Sequence, residues 1–220
     1  MSYRPPTTVR DRDDVRAVRY LESYFGRPYT GAHFDEWPEQ SPDRFTADDL
    51  VAVSFLSVFV PPLAARKLLL TEADHFAALL TAVGPDRDLV EEAEHLGPEW
   101  PARELHAAVL ALPGVGPTIT SKLLARKRPR LLPVYDSVVA QVTGSPIQWE
   151  PLRQLLRAED GALHQYLEQL RQRAVVPPHV SALRIYDVLT WMEGKDADYR
   201  PQSREEQLGA ELAEPETTAD

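Results

Sequence analysis

The stretch Leu112-Pro113-Gly114-Val115-Gly116-Pro117-Thr118, continued by ITSKLLARK to Lys127, sets the architecture of this chain. Two glycines one residue apart permit a tight turn that other residues adopt only at a steric cost. Pro117 falls in the first turn of the helix that follows, where its missing N–H costs nothing. Upstream, Pro101 to Leu112 has helical spacing, so the segment reads as two helices joined by a short bend, held together by Val109, Leu112, Val115 and Leu123. Such a bend leaves the amides of Gly114, Val115, Gly116 and the first helical residues facing outwards. Free donors at the positive end of a helix dipole suit a phosphate oxygen. Thr118 can add a hydroxyl, and Lys122, one turn later, a charge.

The rest of the chain reads as helices too. Asp11 to Phe25 carries Val15, Val18, Leu21 and Phe25 at helical spacing. Residues 26–45, rich in Pro, Gly and aromatics, read as an ordered surface loop. Thr46 and Asp49 form a capping pair that opens a helix to about Phe59, and Pro61-Pro62 ends it. A short helix to Leu70 follows, then one started by Thr71 with Asp74 and closed by Gly84. Asp86–Leu96, a short helix from Asp136 or Ser137, Gln148–Ala158, Gly161–Ala174 and a last helix after Pro177-Pro178 complete the set. No segment alternates with period two, and no hairpin signal of the Asn-Gly kind appears. The expected fold is all-α, a helical bundle in residues 1–195. Residues 196–220 hold eight acids against two arginines and are expected to be a disordered tail.

Composition narrows the function. The chain has 220 residues, no cysteine and a formal net charge of -10. Disulfides, thiolate nucleophiles and cysteine-ligated metal or iron–sulfur centres are excluded. The six histidines show no pairing at metal-ligand spacing, so neither a metal nor a cofactor is expected. The longest apolar run is too short and too broken to cross a membrane, and the N-terminus carries no apolar leader, which makes the cytoplasm the expected location. Between Leu105 and Tyr135 there are five basic residues, Lys122, Arg126, Lys127, Arg128 and Arg130, and no acidic one. A single basic patch on an acidic body fits local contact with an anionic polymer rather than a broadly adhesive surface. GVGPTITSK superficially suggests a phosphate-binding P-loop, but the glycine before the lysine is missing and no strand precedes it.

These features resemble the helix-hairpin-helix motif, and beyond it the helix-hairpin-helix DNA glycosylase superfamily, the group that includes endonuclease III and the adenine glycosylase. That group follows the hairpin with a proline-rich loop ending in an aspartate. RPRLLPVYDSVV supplies Asp136, eighteen residues after Thr118. The recognisable resemblance covers about residues 105–142. Three details depart from the family pattern: Thr120 replaces a small alanine, Tyr135 intervenes before Asp136, and Ser137-Val138 follow it. Bifunctional members carry a catalytic lysine where Thr118 stands, so Schiff-base lyase chemistry is not implied. The resemblance implies a two-lobed helical architecture without an iron–sulfur cluster, and a monofunctional N-glycosylase that removes a damaged or modified base. DNA is then the partner. Gly114, Val115, Gly116, Thr118 and Lys122 grip the backbone, Arg126, Lys127, Arg128 and Arg130 add attraction, and Asp136 is the catalytic carboxylate. Tyr29, His33, Phe34 and Trp37 are candidates to fill the gap left by the base. The chain as a whole also resembles an actinobacterial family from which no activity carries over.

Plainer readings account for the same residues. The bend can be a helix connection in a non-catalytic DNA-binding or protein-interaction module, and Asp136 can be the N-cap of the next helix. Trp149 and Trp191 lie in apolar helical contexts that fit core packing. Two structural features discriminate: whether the amides of the bend are free, and whether Asp136 stands on the wall of a pocket between helical lobes.

Overall fold

The protein's structure, a computed structural model, describes residues 3–26, 29–145 and 148–196. Among these residues all regular structure is helical: α1 (Thr7–Arg10), α2 (Asp14–Phe25), α3 (Gly31–Glu36), α4 (Ala47–Ser54), α5 (Pro62–Arg66), α6 (Ala73–Val83), α7 (Pro101–Leu110), α8 (Pro117–Lys127), α9 (Ser137–Thr143), α10 (Trp149–Arg173) and α11 (Ala182–Asp196). No helix among them is long and apolar enough to cross a membrane. The acidic segment proposed as a tail lies outside the described residues except for Asp196, which closes α11.

Local signals in the sequence explain most boundaries. Asp13 caps α2 by accepting from Arg16 N at 3.1 Å, and Asp136 caps α9 by accepting from Val139 N at 3.0 Å. Thr46 and Asp49 form the expected capping box on α4. α10 breaks at Ala158–Gly161, where four consecutive residues leave helical geometry. The two helices expected to either side are its two halves.

Four expectations need correction. The aromatic loop of residues 26–45 contains α3. α4 ends at Ser54 rather than near Phe59. α6 starts without a side-chain cap, because a π-helical turn, Lys67–Thr71, already carries Thr71. The helix expected over Asp86–Leu96 is a single 3₁₀ turn, Leu89–Glu91. There tertiary bonds win: Leu89 N donates to Arg130 O at 3.0 Å, and Asp86 accepts from Arg130 N at 3.1 Å.

Packing centres on α11. Every residue from Ala182 to Thr190 is buried, as in a helix enclosed on all sides. α1, α2, α9 and α10 pack against it. Glu193 ties α1 down by accepting from Thr7 N, Thr8 N and Thr8 Oγ1 at 2.7, 2.9 and 2.6 Å. Elsewhere α6 packs on α7, and α8 on both α4 and α7, while α3 touches both α2 and α4.

Candidate functional site

The bend between α7 and α8 lies at the surface. Val109, Leu112, Val115 and Leu123 are buried and brace the two helices, while Pro113, Gly114 and Pro117 are exposed. Gly114 has φ +73°, in the region that favours glycine, and a Cβ there would sit 3.0 Å from Pro61 Cγ. Val115 N donates to Leu112 O at 3.1 Å. The amides of Gly114, Gly116, Thr118 and Ile119 make no hydrogen bond among the described residues. Thr120, where the helix-hairpin-helix pattern has alanine, is buried and returns its hydroxyl to Gly116 O at 3.0 Å.

The basic residues do not form a surface patch, and that part of the expected phosphate site is corrected. Lys122 donates to Leu56 O at 2.7 Å, and burial pushes its pKa down against the opposing pull of Asp136. Arg126 donates to Asp49 Oδ1 and to the carbonyls of Trp37 and Pro38. Lys127 Nζ meets Glu39 Oε2 at 2.9 Å and Asp49 Oδ2 at 2.5 Å. Arg128, 0% exposed, reaches Asp43 and the carbonyls of Leu80, Gly84 and Pro42. Arg130 alone of the set is exposed, and it is paired with Asp88. The cationic end of α8 thus fastens the chain between Trp37 and Asp43 onto the core, and its charge is spent inside the protein.

Asp136 stands on the wall of a cavity of about 410 Å³. Thr118 and Lys122 of α8, Leu56 to Val58, Val138 and Val139 of α9, and Arg184, Asp187 and Trp191 of α11 also line it. Tyr24 and Tyr29 complete an aromatic side, their rings 5.6 Å apart and nearly parallel, with Trp191 edge-on to both. Trp191 therefore belongs to the cavity wall rather than to the core alone. Of the other aromatic candidates, Phe34 is buried and Trp37 packs on Phe55. His33 is exposed beside Phe55 and Glu36.

Two residues that sequence reasoning passed over carry polar chemistry in this cavity. Arg184 donates to both oxygens of Asp35 at 3.0 Å and to Tyr24 OH at 2.8 Å. Asp187 accepts from Val134 N at 2.7 Å through Oδ2, while its Oδ1 is buried without a partner. Burial pushes the Asp187 carboxyl up to about 8 against the opposing Arg184 charge, so it is largely protonated at neutral pH. A third was missed at the surface. Phe59 is 77% exposed, next to the cavity-lining Val58 and two residues from Pro61, which touches Gly114. Only an unexplained apolar residue after Val58 could have signalled it.

The loop bearing Asp136 is gripped from two helices. Val134 N reaches Asp187 on α11, and both backbone groups of Tyr135 reach Ser121 on α8. No group of three or more His, Asp or Glu among the described residues is arranged to hold a metal ion. No curated protein and no solved structure matches the chain. Residues 17–194, most of the chain, match the family described as "Family of unknown function (DUF6308)", and the protein belongs to that family.

Proposed function

We propose that the protein binds DNA through the bend between α7 and α8 and removes a damaged or modified base as a monofunctional N-glycosylase. One observation carries this reading: Thr118, on the helix that opens at the free amides, and Asp136 line the same aromatic-walled cavity. A phosphate held by the amides of Gly114, Gly116 and Thr118 brings the nucleotide backbone to the rim. A base rotated out of the stack can then enter between Tyr24, Tyr29 and Trp191. The cavity falls between the helices around α11 and the group α4 to α8, which supports the two-lobed architecture implied by the sequence resemblance. Phe59 is positioned to fill the gap in the duplex.

Cleavage of an N-glycosidic bond develops positive charge on the sugar. The Asp136 carboxylate stabilises that charge and orients water, and capping α9 through Oδ1 fixes its direction without using Oδ2. The departing base leaves with the proton that the attacking water gives up. With Lys122 committed to Leu56 O, the bound water is the nucleophile.

The test pairs binding with chemistry. Affinity for short duplexes falls as salt rises, with a slope of about two phosphates, since the four cations from Lys122 to Arg128 are not available. Among duplexes carrying single lesions, at least one loses its base, and Asp136→Asn abolishes that release while leaving stability and binding intact, because Asn caps helices as well as Asp. Absence of salt-dependent binding overturns the proposal. A second reading, a binding module without chemistry, is favoured by the internal use of Lys122 to Arg128 and predicts binding with no base release from any lesion.

A further inference from the structure

Arg184 of α11 lines the cavity that holds Asp136, and its side chain is only 6% exposed. Its Nε is spent on both oxygens of Asp35 and its Nη2 on Tyr24 OH. Nη1 carries two further N–H donors, and it makes no hydrogen bond among the described residues. It is not sealed off either. Among the described residues that are not exposed, the side-chain atoms lacking both a partner and accessible surface are Gln148 Oε1, Gln148 Nε2 and Asp187 Oδ1. Nη1 lacks the partner but keeps the surface, so a molecule in the cavity can reach it. The guanidinium stands among residues of the same wall: it hydrogen-bonds Tyr24, and Lys122 and Asp187 both feel its charge. A charged group this buried with idle donors is costly unless something in the cavity accepts from it.

Resting on the reading of this cavity as a base pocket, we propose that Arg184 selects a base carrying a ring carbonyl where an undamaged base carries an amino group. Deamination produces that class. Arginine donates and never accepts, so a carbonyl oxygen facing Nη1 is held, whereas an amino group there sets donor against donor. Hypoxanthine and adenine are such a pair, alike in size and stacking surface and opposite at this one substituent. Charge on the wall is weighted the same way: Lys122 and Lys195 also line it, while the unpaired oxygen of Asp187 is sealed. Bond breaking gains as well. As the C1′–N bond breaks, its electron pair passes to the base and spreads onto the carbonyl oxygen, beside a fixed guanidinium. Water supplies the oxygen that bonds C1′, and its proton ends on the base. Guanine and thymine also carry carbonyls, but a mismatched deaminated base leaves the stack at lower cost than a paired one.

Titration of the full-length, ¹⁵N-labelled protein with free hypoxanthine and, separately, free adenine tests this by NMR. The reporter is the Trp191 indole N–H resonance, assigned by its loss in Trp191→Phe. Hypoxanthine shifts it and binds at least about tenfold more tightly than adenine. Arg184→Met combined with Asp35→Asn removes the donors without stranding a buried carboxylate, and brings the two affinities together. Should that variant fail to fold, the comparison on the wild-type chain decides alone. The proposal is overturned if hypoxanthine at its solubility limit leaves Trp191 unmoved, if adenine binds as tightly, or if the folded double variant keeps the preference. Duplexes with hypoxanthine opposite thymine separate this from the glycosylase reading. No release from any lesion, with the preference for free hypoxanthine intact, ends that reading and leaves the selectivity standing. Release of a mispaired adenine as fast as hypoxanthine does the reverse.

Discussion

Ser121 Oγ accepts from Tyr135 N at 3.0 Å and lies 2.8 Å from Tyr135 O, so one hydroxyl on α8 clamps both backbone groups of the residue before Asp136. The intervening tyrosine, a departure from the glycosylase pattern, is what this clamp holds. Ser121→Ala leaves two half-buried backbone groups without partners and costs about 1–3 kcal/mol in urea unfolding. On the proposed function it also slows base release by about tenfold or more, because Asp136 loses its position. Duplex affinity stays unchanged, since the bend is untouched.

Gly114 and Gly116 respond oppositely to the same methyl group. Gly114→Ala forces a side chain into left-handed backbone and against Pro61, and lowers stability by about 1–2 kcal/mol. Gly116 has φ -108° with nothing within 4 Å of a Cβ. Its change to alanine loses some N-cap preference but restricts the unfolded chain, and the two effects leave stability within about 0.5 kcal/mol of wild type. The added methyl crowds the free amides, so duplex affinity in a low-salt titration drops without any loss of melting temperature. Unchanged affinity in Gly116→Ala removes the bend from the DNA contact.

What the sequence disclosed was local. Glycine and proline punctuate the bend at 112–117 and the break of α10 at Gly161, and both stand where expected, because steric preference at one residue suffices to place them. The fate of the cations was not legible. Arg126, Lys127 and Arg128 have the spacing of a solvated helix end, but their partners Trp37 to Asp43 lie more than eighty residues away in the chain. Only tertiary packing brings that loop over α8. Asp187 was hidden for a related reason: a helix buried on every side gives its polar residues no periodic signature. The pocket wall around Asp136 was expected from a family resemblance.

The buried cluster carries its own prediction. Lys127 and Asp49 side chains are 0% and 1% exposed. Replacing Lys127 with methionine strips Asp49 of its nearest cation while Arg126, at 3.2 Å, remains. Loss of one partner from a buried pair costs about 3–5 kcal/mol, and the residual Arg126 contact puts this case near the lower figure. Urea unfolding at neutral pH measures that loss. The salt dependence of duplex binding in the same variant stays at the wild-type slope, whereas a surface phosphate contact at Lys127 would reduce it by about one.

Asp187 makes stability depend on pH with a predictable sign. Around it stand Arg184 and Val134 N, which favour the charged form, and Asp35 and Asp136, which oppose it together with the dominant effect of burial. In the unfolded chain an aspartate titrates near 3.9. Between about pH 4 and pH 8 the folded protein therefore keeps a proton that the unfolded chain releases, and the Asp187 contribution to stability declines as pH rises. Above about 8 both forms are ionised and the decline stops. Asp187→Asn retains an acceptor for Val134 N and removes the titration. Its melting temperature relative to wild type should climb from pH 4 to pH 8 and then level off. Parallel melting curves across that range mean that Asp187 is ionised in the folded protein at neutral pH.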